Sequence, residues 1–306
     1  MTNILRTLIR ATARAVAFAG ALAASGAFAG VVGYSVRSDV DRKLYRVDMA
    51  TGMATSIGPT GFSKIEALAI NAAGEIYGVN PATAQLVKCS ATTGVCAPVG
   101  LLIGLLAVQG NAGLTFTPNG TLYLAANAAV YRVDPATGAT ASLGGTGPAL
   151  SGLAGVAPTA NCASGLFGIG GNGDKGKFYC INTTTGAITL LGSLSVNPLD
   201  SGLDGDPVTG IVWGISNDTV GRVFAINPLT LAVTDVATVT LDGVAVGGFE
   251  SLAIEHTPDP PILPLPEAVR PGPALSHVAL LLLSMLMATG ALMLQRRRAA
   301  VSSRRK

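Results

Sequence analysis

Two glutamates occupy the same place in a repeating sequence pattern, and they are the first candidates for chemistry in this chain. Glu66 and Glu250 each stand directly before a short apolar run, where Ala112, Ser151 and Ser201 stand in the other copies. Carboxylate oxygens are ligands that Ca²⁺ prefers. If the runs line a common channel, the two glutamates predict a metal site. The alternative is that each carboxylate is solvated at the channel mouth.

Three aspartates, Asp200, Asp204 and Asp206, have a spacing that resembles a calcium-binding loop. For two of them, however, the sequence predicts a structural role. Asp206 begins a recurring Gly-containing turn, and Asp204 lies within an apolar run. The glycine cluster at 168–173 has no following helix whose N-terminus could bind phosphate, so it predicts a loop. The sequence has two histidines and no Gly-x-Ser-x-Gly elbow, so nucleophilic catalysis has little support.

An aromatic residue recurs in one local setting, and its spacing predicts the fold that must position these side chains. Successive copies are 43, 46, 44 and 46 residues apart. A period in the mid-forties, built of short apolar runs and Gly-rich turns, is typical of β-propeller blades. Because Trp213 occupies this position, we expect it in the core and not on a ligand platform. The five aromatic residues are Tyr34, Tyr77, Tyr123, Phe167 and Trp213.

Each copy has an apolar opening run, an aromatic strand, a third strand that ends in a stereotyped turn, and a fourth strand. In the turn, Asp or Asn caps the first position and Gly takes the left-handed one. The first copy lacks its opening run, and the last copy, 249–255, has only that run. Joining the two closes the ring and removes exposed edges. The sequence therefore predicts an all-β fold, a β-propeller of five four-stranded blades closed by shared N- and C-terminal strands. A sixth blade would require a unit hidden in 99–110.

The two ends of the chain carry membrane-directing patterns. Residues 1–29 have a basic start, an apolar stretch and small residues at Ala27 and Ala29, which predicts a signal peptide cleaved by signal peptidase after Ala29; an uncleaved anchor is the alternative. The predicted propeller, 30–256, is followed by a Pro-rich linker, 257–273, and a C-terminal sorting or transmembrane segment, 274–306. Residues 278–294 lack charge and predict one transmembrane helix. The basic residues beyond it place the propeller outside the cell.

Charge and cysteine content agree with export. The net charge is +3, but residues 30–260 contain ten basic and sixteen acidic residues, a net charge of −6. A nucleic-acid partner is therefore not expected. Four cysteines in an exported chain predict two disulfides, and the four residues can be paired in three alternative ways. We favour Cys89–Cys96 and Cys162–Cys180, since each pair stays within one repeat. A metal site is the weaker alternative, because no Cys-x-x-Cys spacing occurs.

The turn at 44–52, Leu-Tyr-Arg-Val-Asp-Met-Ala-Thr-Gly, resembles the LYxVDxxTG blade signature of bacterial exported β-propeller repeat proteins. The tail resembles a C-terminal sorting signal of the exosortase-recognised type, in the subclass with a Pro-Thr-Leu-Ser-x-Trp-Gly core. Pro273, Leu275 and Ser276 match that core, whereas its Trp and Gly are missing. The resemblance implies cleavage near Pro273 by an exosortase-like enzyme and transfer to the cell surface or matrix. A plain membrane anchor is the alternative. The arginine cluster of such signals corresponds to Arg296, Arg297 and Arg298.

These patterns favour an exported, membrane- or surface-anchored propeller that acts as a binding or scaffold module for an unknown protein or glycan ligand. No cofactor is expected in that case. The first alternative is a hydrolase or lactonase that depends on a divalent metal such as Ca²⁺, with Glu66 and Glu250 among the ligands. The second alternative is a structural component of an extracellular matrix. Sensitivity to a chelator would separate the first alternative from the binding module.

Overall fold

The computed structural model describes residues 30–171, 173–198 and 200–255, and these residues form a five-bladed β-propeller. Four blades are sheets of four antiparallel strands whose neighbours are adjacent in sequence, and the remaining blade is part of a six-stranded sheet. The predicted signal peptide, the linker and the C-terminal segment lie outside the described residues. Within those residues, no helix has the length and apolar character needed to cross a bilayer.

Within residues 30–255 as described, twenty-two strands build the five blades and their connections. The first blade contains β1 (Val32–Val36), β2 (Lys43–Asp48) and β3 (Met53–Pro59). The second contains β4 (Leu68–Ile70), β5 (Ile76–Asn80), β6 (Gln85–Cys89) and β7 (Cys96–Leu101). The third contains β8 (Gly113–Phe116), β9 (Leu122–Ala126), β10 (Ala129–Val133) and β11 (Thr140–Gly145). The fourth contains β12 (Leu150–Gly155), β13 (Leu166–Gly170), β14 (Lys177–Ile181) and β15 (Ile188–Ser193). The fifth contains β16 (Ser201–Gly205), β17 (Val212–Ser216), β18 (Arg222–Ile226) and β19 (Val233–Thr238).

The last part of the described chain returns to the first blade and closes the ring. Strand β22 (Ala253–Ile254) pairs antiparallel with β1, with Tyr34 opposite Ala253. The predicted closure by shared terminal strands is therefore confirmed, although the closing strand is much shorter than the predicted run 249–255. A hairpin of β20 (Thr240–Leu241) and β21 (Val244–Ala245) also joins this sheet, because β20 pairs parallel with β3. The hairpin covers an outer edge that would otherwise be open, and the sequence analysis did not predict it.

The opening strands β8, β12, β16 and β22 approach each other backbone to backbone around the axis. A Cβ atom on Gly113 would lie 2.5 Å from the Leu153 nitrogen, and one on Gly202 would lie 2.3 Å from the Ser251 carbonyl carbon. Real Cβ atoms do not reach such distances, so the glycines at the start of the apolar runs are required by packing. The central axis is therefore tightly filled at the level of these strands.

A buried carboxylate connects the opening strands of four blades. Asp204 accepts hydrogen bonds from the Thr115 hydroxyl at 2.7 Å and from the Ile254 backbone N–H at 2.8 Å. The Thr115 hydroxyl in turn accepts a hydrogen bond from the Gly155 N–H at 3.0 Å. Burial raises the pKa of Asp204 to about 7, although these hydrogen bonds act to lower it. Asp204 thus has a structural role, as its place in an apolar run predicts, and its bond to Ile254 fastens the closing strand.

The Thr-Gly turn of the repeat also has a packing role between blades. A Cβ atom on Gly100, in the outer strand β7, would lie 2.0 Å from the Thr137 carbonyl oxygen of the next blade. The same contact recurs between Gly144 and Thr185 at 2.3 Å. A register shift in each outer strand immediately precedes these glycines. The recurring turn therefore closes a hairpin within its own blade. It also packs against the backbone of the outer strand of the preceding blade.

Both favoured disulfides are present, and they are local. Cys89–Cys96 closes the β6–β7 hairpin, and Cys162–Cys180 ties a loop to β14. Trp213 is 1% exposed, as expected for a core residue. The loop prediction for 168–173 is wrong in part, because Gly168 and Gly170 lie in strand β13. The small side chains there permit close packing, since a Cβ atom on Gly168 would lie 2.9 Å from a Leu150 methyl group.

We expect Gly202→Ala to destabilise the propeller by about 1–3 kcal/mol, because the new methyl group overlaps the backbone of Ser251 and Leu252, just before the closing strand. Gly145→Ala is the matched control, since its Cβ atom would meet nothing nearer than the Ala128 carbonyl oxygen at 3.7 Å. Urea unfolding of both variants measures the difference. Equal stability of the two variants would contradict the backbone contact at the axis.

Candidate functional site

A cavity of about 400 Å³ lies at one mouth of the propeller axis. Glu66, Asn111, Asp200 and Glu250 line it, and each stands one to three residues before the opening strand of a different blade. The loop that follows β1 adds Asp39 to the lining. Because opening strands converge on the axis, side chains from separate repeats meet here. We call this cavity the axial cavity.

Lys64 supplies the positive charge of the axial cavity. Its Nζ atom lies 2.9 Å from a Glu66 carboxylate oxygen, 3.2 Å from Asp39 and 3.8 Å from Glu250. Burial lowers the pKa of Lys64, but the hydrogen bond and charge of Glu66, together with Glu250 and Asp39, raise it overall. The lysine is therefore an ammonium ion at any pH that the protein meets. It stands where a cation shared by Glu66 and Glu250 would be expected.

Two carboxyl groups of the lining, Glu250 and Asp200, are poorly compensated by positive charge. The Glu250 side chain is 3% exposed, and neither of its oxygens receives a hydrogen bond from the described residues. Burial raises the pKa of Glu250 to about 8, and a hydrogen bond with Asp39 and the nearby Glu66 charge add to that effect. Burial likewise raises the pKa of Asp200 to about 6. Glu250 is therefore mostly protonated at neutral pH, whereas Asp200 is mostly ionised.

Unpaired polar atoms extend along the same mouth. The Asn111 amide nitrogen, which lines the axial cavity, has no hydrogen-bond partner among the described residues. The buried Ser201 hydroxyl, which holds the repeat position of Glu66 and Glu250, lacks one as well. Buried polar groups in proteins are normally paired. A ligand or bound water would supply the missing partners.

The structure places the two predicted metal ligands in one cavity, but it adds residues that the sequence analysis did not select. Asp200 was considered only as part of a calcium loop, and Asp39 and Lys64 carried no periodic signal. Within the described part of the chain, no cluster of three or more His, Cys, Asp or Glu side chains is arranged to hold a metal ion. The metal site at Glu66 and Glu250 stays a prediction. Asp206 caps its turn through the Val208 N–H, as expected.

Comparison with known proteins supports no family assignment. No protein-family model and no curated protein matches this chain. A solved structure from work on the de novo evolutionary emergence of a symmetrical protein is 18% identical, with a TM-score of 0.44; the match covers 72% of this chain and 97% of that chain. A nidogen/laminin complex is 16% identical, with a TM-score of 0.45 and coverage of 73% and 84%. Virginiamycin B lyase from Staphylococcus aureus is 15% identical, with a TM-score of 0.39 and coverage of 64% and 62%. At this level of identity, such likenesses concern the fold and not a ligand or an activity.

We expect the thermal stability of the protein to fall as the pH rises from 7 to 9. The folded-state pKa of Glu250, about 8, lies above its ordinary value of 4.5, so the folded state retains a proton that the unfolded chain has released. Stability that is present at low pH is then lost as the pH passes through 8. The raised pKa values of Asp200 and Asp204 also make the protein less stable as the pH rises, but at lower pH than Glu250.

Thermal unfolding at constant ionic strength checks this prediction. Glu250→Gln should remove most of the decrease in Tm between pH 7 and 9, which we expect to be on the order of a few degrees. Glu75→Gln is the control, because Glu75 pairs with Lys88 at the protein surface. The same pH profile in the wild type and in Glu250→Gln would show that Glu250 is not the group that titrates.

Proposed function

We propose that this chain is an exported β-propeller, anchored in the cell envelope through its C-terminal segment, that acts as a binding or scaffold module. The ligand-binding region in this proposal is the axial cavity. One observation carries the proposal: a cavity of about 400 Å³ is lined by a buried carboxyl group, Glu250, whose oxygens receive no hydrogen bond from a donor group of the described residues. Propellers often serve as rigid supports for such sites, although the fold does not name the ligand.

Export is supported by the disulfides and by the sequence of both ends. Two disulfides are typical of proteins that fold in an oxidising compartment, and this chain forms Cys89–Cys96 and Cys162–Cys180. The small residues Ala27 and Ala29 and the apolar stretch before them suit a signal peptidase. The uncharged residues 278–294 and the arginines that follow suit a membrane segment with its C-terminus in the cytoplasm.

We expect mass spectrometry of the mature protein to find an N-terminus at Gly30. In surface or medium fractions, the C-terminus should lie near Pro273, because an exosortase-like enzyme would remove the membrane segment. Replacing Arg296, Arg297 and Arg298 by alanine should leave the protein unprocessed. An intact Lys306 found only in the membrane fraction would refute processing and leave a permanently anchored module. Reduced cysteines in a cytosolic protein with residue 1 intact would refute export itself.

A metal-dependent hydrolase or lactonase is the second candidate, and one observation favours it. Glu66, Asp200 and Glu250, which come from separate blades, line the same cavity. Oxygen ligands from three directions suit a hard divalent cation. Against this candidate, the Lys64 ammonium already neutralises part of the charge at 2.9 Å from Glu66.

We expect EDTA to leave the Tm unchanged and added Ca²⁺ to raise it by less than about one degree, because binding of a ligand to the folded state alone raises stability by RT ln(1 + [L]/Kd). The measurement is thermal unfolding with each additive in turn. The double variant Glu66→Gln/Glu250→Gln serves as the control that lacks the proposed metal ligands. A rise of several degrees with Ca²⁺ in the wild type, absent in the double variant, would favour the metal-dependent enzyme over the binding module.

A further inference from the structure

The charges of the axial cavity are unbalanced. Its lining contains four carboxyl groups and one ammonium group, Lys64. Lys64 lies nearest to Glu66 and Asp39 and only at 3.8 Å from Glu250. Among the described residues, no ion pair reaches Asp200. The side of the cavity formed by Asp200 and Glu250 is therefore short of one positive charge.

Asp200 accepts a hydrogen bond from the Ser201 N–H at 2.9 Å, but other polar groups of the lining are less well paired. Glu250 is 4% exposed; its carboxyl group interacts with Asp39, and no donor group of the described residues reaches either of its buried oxygens. The Asn111 amide nitrogen, a donor on the same lining, is unpaired as well. Leaving such groups unsatisfied is unfavourable by about 1–3 kcal/mol each. A ligand that completes them must therefore bring a donor to the carboxyl groups and an acceptor to Asn111.

The size of the cavity and the behaviour of Lys64 indicate which donor fits. About 400 Å³ lies within the range of pockets for small organic molecules and is far more than a single ion fills. Lys64 shows that this lining accepts an alkylammonium group, with N···O distances between 2.9 and 3.8 Å. Charge-assisted hydrogen bonds from such a group to carboxylates are among the strong ones in proteins.

We propose that the axial cavity binds a small organic cation, whose ammonium or guanidinium group pairs with Asp200 and Glu250 while Asn111 donates a hydrogen bond to an acceptor on the same molecule. This inference rests on the proposed binding function and names its ligand class. The cation can be a free amine or the basic side chain of a peptide, since the chemistry recognised is the same. Lys64 remains paired with Glu66 and Asp39 when the ligand is bound.

Isothermal titration calorimetry with the full-length chain in detergent tests the proposal. The probes are 1,5-diaminopentane and agmatine, which carry cationic groups alone, and 5-aminopentan-1-ol and a short lysine-containing peptide, which also offer Asn111 an acceptor. Pentan-1-ol is the uncharged counterpart. We expect saturable binding of the cations at pH 8 and no binding of pentan-1-ol. Glu250→Gln and Asp200→Asn should each weaken binding at least about tenfold, since a buried charge-assisted bond is lost. Lys64→Met should strengthen it, because it removes a competing positive charge.

Glu75→Gln is the matched control, since it changes an exposed carboxylate that pairs with Lys88 outside the cavity. Tighter binding of the peptide than of the diamine would identify a protein partner as the source of the cation, and the reverse order would identify a free amine. Equal binding by pentan-1-ol, or equal affinity in Glu250→Gln and Glu75→Gln, would overturn the proposal. Binding of Ca²⁺ without binding of any amine would overturn it as well. None of these binding results bears on export or anchoring. Mass spectrometry of the N- and C-terminal peptides tests those separately.

Discussion

The structure depends on the close convergence of the opening strands at the propeller axis. Strands from neighbouring blades lie so near each other that Gly113, Gly152 and Gly202 have no room for a Cβ atom. In this crowded centre, Asp204 accepts hydrogen bonds from two other opening strands, one of them the closing strand β22. The ring is closed by two residue pairs between β22 and β1, by flanking backbone hydrogen bonds from Glu250 and Glu255, and by this buried carboxylate. The Asp204 hydrogen bonds connect the opening strands of four of the five blades.

The convergence also creates the candidate site. Residues just before the opening strands reach the same mouth, although more than 180 residues of chain separate Glu66 from Glu250. The axis below them is filled, so Glu250 is buried and Asp200 is half-buried, and burial raises the pKa of both carboxyl groups. Lys64 reduces the resulting repulsion without removing it. The charge of the cavity follows from the geometry of the ring and not from any single blade.

The charged residues of the axial cavity lie where the repeat is broken. At one repeat position three blades have Ala or Ser, whereas two neighbouring blades have Glu66 and Glu250. The repeated residues, such as the turn glycines and the buried aromatic residues, support packing between and within blades. The departures from the repeat carry the charge. A regular ring therefore presents an asymmetric site, which suits selective binding of a ligand at one face.

The sequence by itself determined the period, the number of blades, the closure by terminal strands and the local disulfides. All of these depend on residues that are near in sequence or that recur at one spacing, such as Tyr45 with Asp48 and Gly52, or Cys89 with Cys96. It also indicated that Glu66 and Glu250 are equivalent and that Asp204 is structural. It misplaced Gly168 and Gly170, because a glycine-rich stretch also suits a strand that packs closely against its neighbours.

Only the tertiary structure decided which charges meet at the mouth. Asp39 and Lys64 lie in irregular loops, whose course no periodic pattern describes, and Asp200 joins them from the opposite part of the chain. The β20–β21 hairpin likewise depends on a parallel pairing with β3 that no local signal specifies. Local sequence patterns reflect contacts between residues that are near in sequence. The residues of the axial cavity are distant in sequence and come together only when the ring has closed.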